Sequence, residues 1–205
     1  MPRDKTASRK RVDAAIRAEF LEKGFDGASI RSIGARAGMT SAGLYRHYVS
    51  KEDMFDAMVE PLLSAIQEWT TRHKSKKYAL VDNGAGKNDL FGESFIDFMR
   101  DIAIPRREEF RMLLCCAKGT KYENFIDDFV RANQQDFMQA IDYLRKRGFP
   151  VQDISEREVH MLMSAYVTAC FEPIVHDYVD EDVFRYLKTI HEFFMPGWMA
   201  IMGIS

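Results

Sequence analysis

Ser29 to Lys51 reads SIRSIGARAGMTSAGLYRHYVSK, and the spacing of its capping residues decides how the chain is read. Ser29 is placed to cap a short helix on which Ile30, Ile33 and Ala37 share one face, and Gly38 suits the left-handed residue that ends it. Thr40 can cap a second helix, Ser41 to Tyr48, and Ser50 a third, with Asp53 in the position that closes a capping box. Three helix starts this close together predict a compact corner of the helix-turn-helix type. The second helix of such a pair is the one that enters a DNA major groove.

Toward the N-terminus, Val12, Ala15, Ile16, Phe20 and Leu21 recur at helical spacing and predict a helix from about Ala7 to Lys23. Gly24 ends it and Phe25 packs behind. Its start carries Arg3, Lys5, Arg9, Lys10 and Arg11 against Asp4 and Asp13, which reads either as an arm along phosphates or as a solvated terminus. Toward the C-terminus, Met54, Phe55, Met58, Leu62, Ile66 and Trp69 predict a longer helix from Lys51 to about Lys76, with a bend at Pro61. Val81 to Asp89, VDNGAGKND, reads as a surface loop.

Beyond it five more helices are expected, at Leu90–Ile104, Arg106–Ala117, Tyr122–Lys146, Ser155–Tyr178 and Glu181–Met199. Breaks are expected at Pro105, Gly119-Thr120, Gly148 with Pro150, Asp180 and Pro196, and a second capping box at Ser155 with Glu158. No repeat and no alternating strand pattern interrupts this series. The fold class is therefore all-α with about nine helices: a three-helix module at residues 1–50, extending into the helix from Lys51, and a larger helical domain at 51–205.

Charge separates the same two parts. Residues 1–54 carry 11 Lys and Arg against 7 Asp and Glu, and residues 55–205 carry 18 against 24, so the net −2 of the chain divides into +4 and −6. The basic part can approach phosphate, and the acidic part is not expected to. No apolar run approaches the roughly 20 residues that span a bilayer, and no signal-peptide pattern follows the basic start, so a cytoplasmic protein without membrane contact is expected. Cys115, Cys116 and Cys170 form no disulfide or zinc pattern and read as buried thiols, with an oxidant-sensing role for the adjacent pair as the alternative. Cys115, Cys116, His160, Glu172 and His176 are scattered, without the spacing of a nucleophile–base pair or a phosphate loop. No catalytic residue, metal or cofactor is expected.

Gly24-Phe25, Ser29-Ile30, Ile33, Ala37-Gly38, Gly43-Leu44-Tyr45, His47-Tyr48 and Ser50-Lys51-Glu52 together resemble the N-terminal DNA-binding module of TetR-family transcriptional regulators, over about residues 9–55. Three positions depart from the pattern: Ala28 where Thr is frequent, Gly34 where Ala is frequent, and Tyr48 where Phe is common. Gly34 costs its helix roughly 1 kcal/mol relative to Ala. The resemblance implies DNA contacts from Arg31, Thr40, Ser41, Gly43, Tyr45, Arg46, His47 and Lys51, with Leu44 and Tyr48 turned inward. Hydroxyls and backbone N–H groups at the start of the second helix suit phosphate, and Gly43 permits close approach.

It further implies a double-stranded operator as partner, a small-molecule effector and a homodimer. Phe95, Phe98, Met99, Met112, Cys115, Phe125, Phe129 and Tyr166 are the candidate lining of an effector pocket, and such a lining suits an apolar or aromatic ligand. The last two long helices carry apolar residues on more than one face; the resemblance implies their burial in a four-helix bundle between two copies through Val159, Met163, Val167, Phe171, Leu187, Ile190 and Phe194, and the alternative is a monomer that buries both faces internally. The expected function is a ligand-responsive repressor released from its operator by the effector. The alternative is a DNA-binding dimer governed by a protein partner without a small ligand.

Overall fold

The apolar faces expected from the sequence become buried faces of helices in the computed structural model, which describes residues 5–82 and 94–203, with side chains described over 7–73, 95–179 and 181–203. Arg3, Asp4, the Lys5 side chain, Phe91 and residues 83–89 of the expected loop lie outside the described residues. Among the described residues all regular structure is helical. The elements are α1 Lys5–Gly27, α2 Ile30–Ala37, α3 Ser41–Leu44, α4 Lys51–Asp82, α5 Ser94–Phe98, α6 Arg107–Cys115, α7 Phe125–Lys146, α8 Glu156–Val175 and α9 Asp180–Ile201. Between α5 and α6 the chain takes one π-helical turn, Met99–Ala103, and one 3-10 turn, Ile104–Arg106.

The chain divides into two compact units, residues 1–68 with 106–123, and residues 69–105 with 124–205. The first unit thus reaches past residue 50 and takes in α6 from the middle of the chain. In it, Val12, Ile16 and Phe20 of α1, Ile33 and Ala37 of α2, Leu44 of α3 and Met54, Phe55 and Leu62 of α4 are fully buried. Burial of a side chain of this size contributes about 1.5–3 kcal/mol. Phe20, Phe25 and Phe55 meet with ring centroids 5.2–5.9 Å apart, and Tyr122 extends the cluster at 6.1 Å from Phe55. The segment carrying Tyr122 is tied down by Phe25 N–H donating to Cys116 O at 2.8 Å and by Lys121 Nζ on Asp56 at 2.7 Å. Arg17 of α1 pairs with Glu109 of α6 at 3.1 Å.

In the second unit, α7 and α8 bury Val130, Phe137, Ile141 and Leu144 together with Val159, Val167, Phe171 and Ile174, and α9 adds Val183, Leu187 and Trp198. The Ser155 and Glu158 capping box forms as expected: Ser155 N–H donates to the Glu158 carboxylate, and Glu158 N–H donates to the Ser155 hydroxyl.

One proline differs from expectation, since α9 runs through Pro196, where a break was expected. Pro61, Pro173 and Pro196 all lie inside helices, and α4 and α9 continue beyond theirs to Asp82 and Ile201. A proline removes one backbone donor and crowds one turn, and a long helix with a buried face on both sides of it can retain the rest of its ladder. α8 stops soon after Pro173, where Asp177 takes a left-handed conformation with φ 55°.

Candidate nucleic-acid interface

The surface that carries the expected DNA contacts is set by three caps. Ser29 accepts from Ser32 N–H at 3.1 Å and starts α2. Gly38, at φ 67°, ends α2, a conformation that costs a residue with a Cβ roughly 1–2 kcal/mol. Thr40 accepts from Gly43 N–H at 3.1 Å and starts α3. At the head of α4, Asp53 N–H donates to the Ser50 hydroxyl at 3.0 Å, while the Asp53 carboxylate reaches back to Val49 N–H at 2.9 Å, one residue further than the capping box expected.

Gly34 has a second role that propensity alone does not reveal. A Cβ there would stand 2.9 Å from Met39 O, so the glycine lets the turn between α2 and α3 fold against α2, where Met39 N–H donates to Gly34 O at 2.9 Å.

The expected second helix, Ser41 to Tyr48, keeps α geometry only from Ser41 to Leu44. It then tightens into turns in which Arg46 N–H donates to Gly43 O and His47 N–H to Leu44 O. This is the i→i+3 pattern common at helix ends. Leu44 and Tyr48 point inward and are buried, at 0% and 3% exposed, while Tyr45 is 51% exposed. Arg31, Thr40 and Arg46 are exposed, and Ser41, Gly43 and His47 are half-buried. The expected contact residues other than Lys51 are thus not locked into the core.

Lys51 is engaged by the protein itself. Its ammonium donates to Phe25 O at 2.8 Å and Ala28 O at 3.3 Å and sits 4.3 Å from the centre of the Phe25 ring. It neutralises carbonyls at the end of α1, where a cation is favoured.

The sequence reading passed over Glu19. It lies on the buried face of α1 between Ile16 and Phe20 and is 0% exposed. Its carboxylate accepts from Ser32 Oγ at 2.8 Å, Lys23 Nζ at 2.9 Å, Arg36 Nε at 2.9 Å and Ser29 N–H at 3.4 Å. Burial pushes the carboxyl up, but the hydrogen bonds from Lys23, Ser32 and Ser29 outweigh it and hold the pKa below its ordinary value. An acidic residue on an otherwise apolar helical face was the available signal.

Tyr48, placed inward, keeps its hydroxyl satisfied by donating to Asp13 Oδ1 at 2.6 Å. Burial and the neighbouring carboxylate push this phenol far above its ordinary pKa.

Met112, buried, and Cys115, exposed, belong to α6 and the first unit. Phe95, Phe98, Met99, Phe125, Phe129 and Tyr166 belong to the second unit. The second-unit aromatics touch one another: Phe95 lies 5.5 Å from Tyr166 and 5.7 Å from Phe98, and Phe129 lies 5.6 Å from Phe98 and 5.5 Å from Phe171. An open groove of about 540 Å³ lies in the first unit, lined by α1 residues such as Lys10, Ala14, Arg17 and Leu21 together with Glu108.

Of the expected dimer residues, Val159, Met163, Val167, Phe171 and Leu187 are buried within the single chain, and Ile190 and Phe194 are half-buried. The apolar side chains that α8 and α9 leave exposed are Met161 at 66%, Leu162 at 40%, Phe184 at 38% and Phe193 at 78%. Amphipathic spacing identifies an apolar face but does not say whether the chain's own helices already cover it.

Residues 13–58, which hold α1 from Asp13, α2, α3 and the start of α4, match the family model of bacterial regulatory proteins, tetR family. Among solved structures, the chain is similar to a protein of Mesorhizobium loti MAFF303099 named for the TetR family of transcriptional regulators. The two share 16% identity, 97% of this chain and 98% of that chain are covered, and the TM-score is 0.47. No curated protein matches the chain. The matched residues 13–58 include the capped helix-turn-helix described above, so the likeness to the tetR family of bacterial regulatory proteins belongs to that module.

Proposed function

We propose that this DNA-binding regulator acts as a homodimer on a palindromic operator and represses until a small apolar or aromatic effector releases it. The observation that carries the DNA half is the capped α2–α3 turn, which leaves Tyr45, Arg46, Arg31 and Thr40 exposed on a module with the tetR family pattern. In this reading Arg31, Thr40, Ser41, Gly43, Tyr45, Arg46 and His47 meet DNA. Lys51 supports them by fixing the end of α1 against the start of α4. Two such modules would reach successive major grooves about 34–36 Å apart. Residues 1–50 supply the contacts, and residues 51–205 hold the effector and dimer surfaces.

The effector half draws support from Trp69. Its indole N–H is buried without a hydrogen-bond partner among the described residues, while the ring stacks on His73 at 3.7 Å and meets Phe98 edge-on at 5.2 Å. A buried donor of this kind calls for an acceptor, and an oxygen on an aromatic ligand supplies one. Exposed Met161, Leu162, Phe184 and Phe193 on α8 and α9 favour a second copy of the chain as the dimer partner. The mutual contact of Phe95, Phe98, Phe129 and Tyr166 favours the other reading, in which a protein partner replaces the ligand.

The test is binding to genomic DNA fragments across a salt series, followed by addition of aromatic compounds bearing carbonyl or carboxylate groups. The proposal expects steep salt dependence, a preferred palindromic fragment, and loss of its affinity with at least one compound. Salt-independent or absent binding overturns the DNA half. Tight binding of a compound with unchanged operator affinity overturns the effector half.

A further inference from the structure

We propose that Arg9 is a DNA phosphate contact held in place by Asp13 and Tyr48, so that the first turns of α1 and the recognition segment present one continuous surface. The inference rests on the DNA-binding reading above and adds to it a contact residue and two positioning residues. Tyr48 closes the recognition segment, and its ring is 3% exposed. A buried phenol needs a partner for its hydroxyl, and Asp13, 35 positions away in sequence, accepts it at 2.6 Å. The same Asp13 oxygen accepts from Arg9 Nε at 3.0 Å, and the guanidinium carbon of Arg9 stands 4.2 Å from the centre of the Tyr48 ring.

Arg9 is therefore fixed from two sides, by an ion pair and by an aromatic face, although its side chain remains 45% exposed. Its Nε is engaged with Asp13, and the terminal nitrogens of the fork carry the remaining N–H donors, in a planar geometry that matches phosphate oxygens. The side chain is ordered before DNA arrives, so binding need not include that ordering cost. An exposed arginine on the neighbouring turns, such as Arg11, has no such support among the described contacts. The hydroxyl of Tyr48, where phenylalanine is common in this pattern, thereby acquires a use.

Opposite signs separate this arrangement from simple electrostatics. Asp13→Asn removes a negative charge beside the proposed interface, and charge alone would then tighten DNA binding. If Asp13 positions Arg9, the same substitution weakens it.

The experiment measures fluorescence anisotropy of a labelled random-sequence duplex with the full chain, between about 50 and 200 mM salt. Variants are Arg9→Ala, Arg9→Lys, Asp13→Asn, Tyr48→Phe and the Arg9→Ala, Asp13→Asn double variant. Thermal melting identifies the variants that fold. Arg9→Ala is expected to flatten the salt slope by about 0.9. Arg9→Lys, Asp13→Asn and Tyr48→Phe should keep the slope while weakening binding about two- to tenfold, the range set by immobilising one long side chain. In the Arg9→Ala background, Asp13→Asn should cause no further loss. An unchanged slope for Arg9→Ala, or tighter binding by folded Asp13→Asn, overturns the inference and leaves the wider DNA-binding reading standing. If Asp13→Asn does not fold, Arg9→Lys and Tyr48→Phe decide, and wild-type affinity in both overturns it. Absence of duplex binding by the unsubstituted protein overturns the DNA-binding reading itself.

Discussion

Glu19 and Lys51 are two charged side chains committed to the same end of α1. Glu19 gathers α2 onto α1 through Ser29, Ser32 and Arg36. Replacing it by Gln keeps the shape but removes the charge from a buried site with cationic neighbours. A loss of about 2 kcal/mol is expected, lower than for a fully buried pair because Lys23 and Arg36 can regain water. Its folded pKa lies below the ordinary 4.5, so its stabilisation is complete above that value and is lost as pH falls through the folded pKa. Urea denaturation at pH 7 should therefore separate Glu19→Gln from the parent, and the gap should close as pH falls below 4.5 and through the folded pKa. A gap that persists unchanged at low pH would show that the charge is not the cause. For Lys51→Ala the ammonium's bonds to Phe25 O and Ala28 O predict a loss of about 1 kcal/mol in stability with the salt slope of DNA binding unchanged. A slope lower by one with an unaltered melting temperature would assign Lys51 to phosphate instead.

The recognition element is short, and its cap accounts for a large share of its order. α3 has four residues, and isolated helices of that length do not persist in water. Thr40 Oγ1 on Gly43 N–H and the burial of Leu44 hold it. Thr40→Ala should cost about 1 kcal/mol and weaken DNA binding, and Thr40→Ser should restore both, as read by melting and by anisotropy. Weak DNA binding with unchanged stability in Thr40→Ala would mean that the hydroxyl meets DNA and does not act through the cap. Gly34 sits one element earlier, where the roughly 1 kcal/mol that Ala gains in a helix is opposed by the approach of Met39 O. The caps at Ser29, Thr40, Ser50 and Ser155 were all legible in the sequence, because each uses a side chain within a few residues of the group it satisfies. The break expected at Pro196 does not occur, because a local rule was applied where the buried face of the long helix α9 prevails.

For the whole molecule, the decisive quantity is which apolar surface the single chain leaves uncovered. Phe171 and Val159 are interior, so Phe171→Ala should cost about 3–5 kcal/mol whatever the oligomeric state. Met161→Ser with Phe193→Ser removes exposed apolar area instead. It should leave the melting of the isolated chain within about 0.5 kcal/mol and shift sedimentation toward the monomer, with loss of operator affinity. A double variant that remains dimeric would move the interface off this surface.

The sequence by itself determined the helical class, the four caps and the tetR-like pattern of the module, since these depend on side chains and backbone groups close together along the chain. Only the tertiary structure decided that α6 belongs with the first unit and that Glu19 is a hub. It alone showed that Lys51 binds its own backbone, that Tyr48 finds Asp13, and that the expected dimer residues are mostly core. Each of these joins groups far apart in sequence, and helical periodicity reports how a face is composed without naming what will cover it.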